Sequence, residues 1–254
     1  VALAIDVTAS GTGRKSNGQT VTTTAFSTAG ANELLIALVS YAGGANVGGS
    51  TATVSGASLA WTLVKRQNTR AGTSEIWRAW AAGTLTSVTV TATVTGAGGD
   101  SFGSAVISVL AFTGTDATSG DGSSAIGATN GASAASGAPT CSLTTTRDGS
   151  WVLGAGDDWD NNVGRTIGSG QTLIQQFVNA TDGDTSWTQQ RTTTTATIGT
   201  VVTINDTAPT ADQYNLAIVE VLASAAAGPT VDQLAACWAQ QDQPARERNE
   251  VVSY

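Results

Sequence analysis

The chain has 254 residues, a formal net charge of −8 and only 12% charged residues. Its basic residues never run beyond pairs such as Arg14-Lys15 and Lys65-Arg66, which excludes the clustered cations that a phosphate backbone or an anionic membrane surface requires. It has no histidine, so the commonest general base and metal ligand are missing, and no apolar run reaches the ~18 residues of a membrane span.

Threonine and valine favour half-buried pleated surfaces and glycine supplies the turns, so the composition points to an all-β fold. In chain order, strand-like runs are expected near Leu3–Thr8, Thr20–Phe26, Glu33–Tyr41, Thr51–Val54, Thr62–Gln67, Ser74–Trp80, Ser87–Val94 and Ser104–Phe112. Turn clusters such as Gly43-Gly44 and Gly98-Gly99-Asp100 separate them. Within one run, Val88, Val90, Ala92 and Val94 alternate with threonines, as in a strand with one face in a core. Residues 114–124 form a polar bridge, after which the pattern resumes.

The second stretch repeats the first. Ile5 and Thr8 align with Ile126 and Thr129, Phe26 with Leu143, and Leu34–Ala37 with Trp151–Gly154. Thr62–Lys65 aligns with Thr172–Gln175, Trp77 with Trp187, Val88–Val90 with Val202–Ile204, and Val106–Leu110 with Ile218–Leu222. The expected architecture is therefore two tandem, duplicated antiparallel β-sandwich units, jelly-roll-like, over residues 1–115 and 121–224. Residues 225–254 make a linker and a C-terminal tail with a short helix expected over Val231–Gln240, where Leu234, Cys237 and Trp238 share one face, followed by an extended end.

The runs NELLIALVSYAGG, VSGASLAWTLVKR, AGTSEIWRAWAAG and AVISVLAFTG resemble a β-sandwich module of bacterial secreted proteins and of phage tail or surface proteins. GSWVLGAGDDWDN and TVVTINDTAPTADQYNLAIVEV carry the same resemblance in the second unit. It spans roughly residues 1–224 and implies an extracellular or virion-surface setting, a structural or adhesive role, and no catalytic residues.

Three groups of residues bear on chemistry. The acids concentrate between Asp148 and Asp212; Asp157, Asp158, Asp182 and Asp184 have no acidic counterparts in the first unit, and Asp160 lies in the same loop as the first two. Loop carboxylates beside Asn161 and Asn162 offer the oxygens a calcium ion takes, against the alternative of solvated turns; nothing orders them into the acid and base of a hydrolase, so no enzyme is expected. Trp159, inside the acidic loop, and Trp80, at a strand end, are the candidate sugar platforms. Cys141 and Cys237 admit one disulfide or two buried thiols.

The chain opens on Val1 rather than Met, as after removal of a signal peptide. The function expected first is a non-enzymatic subunit of an extracellular filament, sheath or virion appendage, self-associating through edge strands and terminal segments. The alternative is a carbohydrate-binding adhesive module that meets cell-surface glycans. No cofactor beyond calcium is called for, and neither nucleic acid nor membrane insertion is expected.

Overall fold

The computed structural model describes residues 2–44, 48–98 and 101–225. The expected helix, Cys237, Trp238 and the rest of the tail lie outside them. Val1–Ser224 forms one compact unit, all-β, with four antiparallel sheets.

The first half supplies β1 (Ala4–Lys15), β2 (Thr20–Thr22), β3 (Glu33–Tyr41), β4 (Thr51–Gly56), β5 (Thr62–Gln67), β6 (Thr73–Ala81), β7 (Val90–Thr95) and β8 (Gly103–Thr113). A 3₁₀ turn, Ser123–Ala125, leads into β9 (Ile126–Ala134), β10 (Thr140–Thr144), β11 (Trp151–Asp158), β12 (Thr166–Ile167), β13 (Gln171–Asn179), β14 (Asp184–Arg191), β15 (Val201–Ala208) and β16 (Tyr214–Val221). The sheet orders are β1-β8-β3-β6-β5 and β2-β7-β4 in the first half. In the second they are β9-β16-β11-β14-β13 and β10-β15-β12, the same order strand for strand.

Three apolar clusters lie between these sheets. Alternation sends Leu35, Ala37 and Val39 of β3 toward the small sheet, where they meet Val90, Ala92 and Val94 of β7. Leu34, Ile36 and Leu38 point the other way and meet Leu153 and Ala155 of β11 and Val219 and Val221 of β16. On the far side of the second five-stranded sheet, Val152, Trp187, Leu216 and Ile218 cover Val202 and Ile204 of β15. Both faces of each five-stranded sheet are thus covered, which is why β3 and β8 read as near-continuous apolar runs rather than as alternation.

The two five-stranded sheets stack reciprocally. β1 lies against β13 and β5 against β9, while β8 meets β13 and β14 as β16 meets β5 and β6. Toward the starts of β3 and β11 this contact is apolar, and Phe112 meets Trp151 edge-on with ring centroids 6.3 Å apart. Toward their ends it is polar and closed. Ser40 Oγ donates to Gly156 O at 2.6 Å, Ser74 Oγ to Asp157 Oδ1 at 2.7 Å, and Ser104 Oγ and Ser108 Oγ bond Ser186 Oγ and Thr188 Oγ1. Each of these four hydroxyls meets a partner, as burial of polar groups demands.

Register corrects two of the sequence alignments. Leu34 pairs with Phe112, and Trp151 with Val221, so Phe112 answers to Val221 and the last strand was aligned three residues out. That slip exchanges the two faces of the strand. Likewise Val39 pairs with Glu75 and Gly156 with Trp187. Trp187 therefore stands where the first half has Glu75, and Gln189 stands where it has Trp77. The Trp187 indole packs on Gly156, where a Cβ would overlap the ring. The alignment of Ile5 and Thr8 with Ile126 and Thr129 agrees with the ladders, which are both bulged there.

Each outer edge of the five-stranded sheets carries such an irregularity. β1 shifts between Ile5 and Val7, β5 between Leu63 and Lys65, β13 between Leu173 and Gln175, and β9 opposite Val219 and Val221. Bulges of this kind twist an edge away from further strand pairing.

Candidate functional site

A cavity of about 340 Å³ opens beside Trp80, lined by Ala60, Thr62, Arg78, Trp80, Gly120 and Asp121. The residues arrive there for local reasons. Arg78 and Trp80 are two apart on β6 and so share a face, and Thr62 of β5 is the ladder partner of Arg78. The fourth side of the cavity comes from the bridge between the halves. Its Gly122 lies against Leu34 and the Trp80 ring, bringing Asp121 over the cleft.

Arg78 Nη1 donates to Asp121 O, and its Nη2 donates to Asp121 Oδ2 at 3.3 Å. The Asp121 side chain is 61% exposed, and its Oδ1 accepts from Ser123 N and Ser123 Oγ at 2.8 and 2.6 Å. The Ser123 hydroxyl and amide hydrogen bonds, more than Arg78, hold the Asp121 carboxyl well below the usual carboxylate range. It stays an ionised acceptor at neutral pH, fixed by its neighbours and open on one side. An aromatic face, a hydroxyl, a guanidinium and a carboxylate around one small cleft can grip a polyol whose ring stacks while its hydroxyls are bonded.

Trp159, the other predicted platform, is 39% exposed. Its amide donates to Gln213 O at 3.2 Å, and it follows the polar end of β11, at the opposite end of the central layers from Trp80, which pairs with Leu34 at the start of β3. The two candidates do not form one site.

The predicted calcium ligands are drawn into separate settings. Asp157 is fully buried in the central contact, accepting from Ser74 Oγ and Asn215 Nδ2. Asp158 is buried on the opposite face and pairs with Arg165, which also pairs with Asp212. Asp160 accepts the Gln213 amide at 2.9 Å. Asp182 pairs with Arg14 at 2.5 Å, and Asp184 accepts the Ser104 amide at 2.8 Å; Asn179 Nδ2 joins these last two. Among the described residues no three carboxylates or cysteines converge as a metal centre. Cys141 is a buried free thiol, pushed up to about 11 by burial, and its expected partner lies outside the described residues.

The halves differ most in their outer cores. In the first, Glu75 is saturated: Arg66 Nε, the Ala52 amide and Thr73 Oγ1 donate to Oε1, and Trp77 Nε1 donates to Oε2. In the second, Arg165 lies over the Trp187 ring, 4.5 Å from its centroid. Both oxygens of buried Asp206, both amide atoms of Gln189, Trp187 Nε1 and Arg165 Nε have no hydrogen-bond partner among the described residues. Burial raises the Asp206 carboxyl to about 7, against the pull of Arg165 and the neighbouring Gln189 amide. Burial likewise raises the Asp158 carboxyl, against the pull of Arg165. The position matching Asp206 in the first half is Ala92, since Val54 pairs with Ala92 as Ile167 pairs with Asp206.

The sequence singles out Trp80 but not the residues that line the cavity with it. Arg78 could have been placed by strand alternation, whereas Asp121 sits in a segment that reads as a bridge. No family model matches this chain, and no curated protein or solved structure matches it.

Proposed function

We propose that the chain is a non-enzymatic, extracellular, duplicated β-sandwich module that binds carbohydrate, with the Trp80 cleft as its binding site. The observation that carries this is the cleft itself: the Trp80 indole, the fixed and open Asp121 carboxylate, and Thr62 and Arg78 around about 340 Å³, near the lower end of the roughly 300–1,000 Å³ typical of ligand pockets. The predicted acids of the second half, Asp157, Asp158, Asp160, Asp182 and Asp184, are engaged with protein donors, which weighs against their serving as the acid and base of glycoside hydrolysis.

Duplication is supported by the matching strand orders and by bulges at corresponding rungs, Leu63/Lys65 and Leu173/Gln175 among them. In each half the order 1-8-3-6 facing 2-7-4 follows a jelly roll whose fifth strand has joined the larger sheet. The reciprocal stacking makes the chain an isologous dimer carried in one polypeptide. A location outside the cell accords with the low charge and hydroxyl-rich surface.

The second reading is a structural subunit of a filament, sheath or virion appendage. The bulged edges weigh against assembly by strand addition, so on this reading contacts would come from the terminal segments. Light scattering at high concentration separates the two, since a binding module stays monomeric and an assembling subunit does not.

A glycan array tests the proposal. Wild-type chain gives signal on a restricted set of glycans, and Trp80→Ala and Asp121→Ala each weaken it by roughly tenfold or more, the loss of about 1.4 kcal/mol of contact. No signal from the folded wild type, or signal unchanged in Trp80→Ala, sinks it.

A further inference from the structure

A second cavity, about 380 Å³, lies in the second half where the first rung of β13 meets the end of β14. Its walls include Ser169, Gln171, Thr195, Thr203 and Asn205, with Arg191 among them. Gln171 Nε2 donates to Asn205 Oδ1 at 2.9 Å and Gln171 Oε1 accepts the Asn205 amide at 3.2 Å. This pair ties the five-stranded sheet to the small one and fixes the groove wall.

Among the described arginines Arg70 and Arg191 make no ion pair, and Arg191 lines this groove. Arg14, Arg66, Arg78, Arg147 and Arg165 each pair with a carboxylate. Arg191 makes no ion pair among the described residues, and its guanidinium has one long hydrogen bond, Nη1 to Ser169 O at 3.4 Å. In a chain of net charge −8, a solvent-reachable guanidinium without a carboxylate partner among the described residues, set in a groove of neutral hydroxyls and amides, marks a place for an anion from outside. The guanidinium fork matches a planar carboxylate with two parallel hydrogen bonds. The surrounding hydroxyls and amides suit the hydroxyls and ring oxygens of a sugar.

We infer that this groove binds the carboxylate of an acidic sugar residue, so that the glycan recognised is a uronate-bearing one. This rests on the carbohydrate reading above and adds its charge class.

The test is a titration of the full chain with a tetrasaccharide of galacturonic acid and with its fully methyl-esterified form, followed by calorimetry and by the side-chain Nε–H resonances of the arginines. The inference expects the acid form to bind roughly tenfold to hundredfold more tightly, as for a charge-assisted hydrogen-bonded pair. It also expects the Arg191 resonance to move with the acid form only, and Arg191→Gln to remove the preference. Equal affinity for the two forms, an unmoved Arg191 resonance, or a preference that survives in Arg191→Gln overturns it. Binding of the ester that still depends on Trp80 would leave the carbohydrate reading standing while this inference fails. Binding of neither form together with a silent glycan array removes both.

Discussion

Replacing Asp206 by Asn should make the protein more stable in mild alkali and leave it nearly unchanged in acid. Asp206 is buried on β15 with neither carboxyl oxygen hydrogen-bonded among the described residues, and burial lifts its folded-state pKa from 3.8 to about 7. A raised acid holds its proton better in the fold than in the unfolded chain. Its contribution is therefore fully present below about pH 4 and is lost as pH rises through 7. The difference of 7 and 3.8 at about 1.36 kcal/mol per unit amounts to roughly 4 kcal/mol lost by pH 8. Asparagine keeps the shape and never ionises, so it escapes that loss. Urea unfolding at pH 4.5 and pH 8 measures it from the midpoints and slopes. Asp157 and Asp184 are also raised by burial and shift stability in the same direction, whereas Asp116 and Asp182, lowered by Arg147 and Arg14, shift it oppositely. These groups are common to both proteins, so the difference between wild type and variant isolates Asp206. Parallel pH dependences in the two would refute the reasoning.

Other consequences follow from the packing. Glu75→Ala leaves Arg66, the Ala52 amide and Trp77 Nε1 without their acceptor and should cost about 3–5 kcal/mol by chemical denaturation, as when one partner is removed from a buried pair. Phe112→Ala empties the central cluster beside Trp151 and should cost about 3–5 kcal/mol, with loss of near-ultraviolet dichroism on heating at a lower temperature. Cys141, buried with its thiol pushed to about 11, should resist alkylation in the folded protein and react quickly in urea, as peptide mapping by mass spectrometry would show.

Much of the fold can be read in the sequence because strand periodicity and turn chemistry agree along it. Two of the expected strands, Glu33–Tyr41 and Thr62–Gln67, coincide with β3 and β5. β1 runs on to Lys15, past the expected end at Thr8, because Gly11 and Gly13 look like turn residues. At Gly11 the residue instead permits the Thr22 carbonyl to approach closely. What pattern could not supply is which apolar face meets which sheet. Leu34, Ile36 and Leu38 look the same whether they cap one sandwich or join two, and only their meeting with Leu153 and Val219 decides. The site is less legible still. Trp80 stands out as an aromatic at a strand end, but Asp121 reaches it from a bridge remote in sequence. The acids of the second half looked like cation ligands because spacing cannot reveal that Arg165, Ser74 and Arg14 are already bonded to them.

The central claim, that the Trp80 cleft holds a sugar, is tested most directly by a crystal structure of the chain with the glycan that gives the strongest array signal. In that complex a sugar ring should lie flat on the Trp80 indole, with hydroxyls bonded to Asp121, Thr62 or Arg78. A glycan seated on Trp159 or on another face, with the Trp80 cleft holding only solvent, would contradict it.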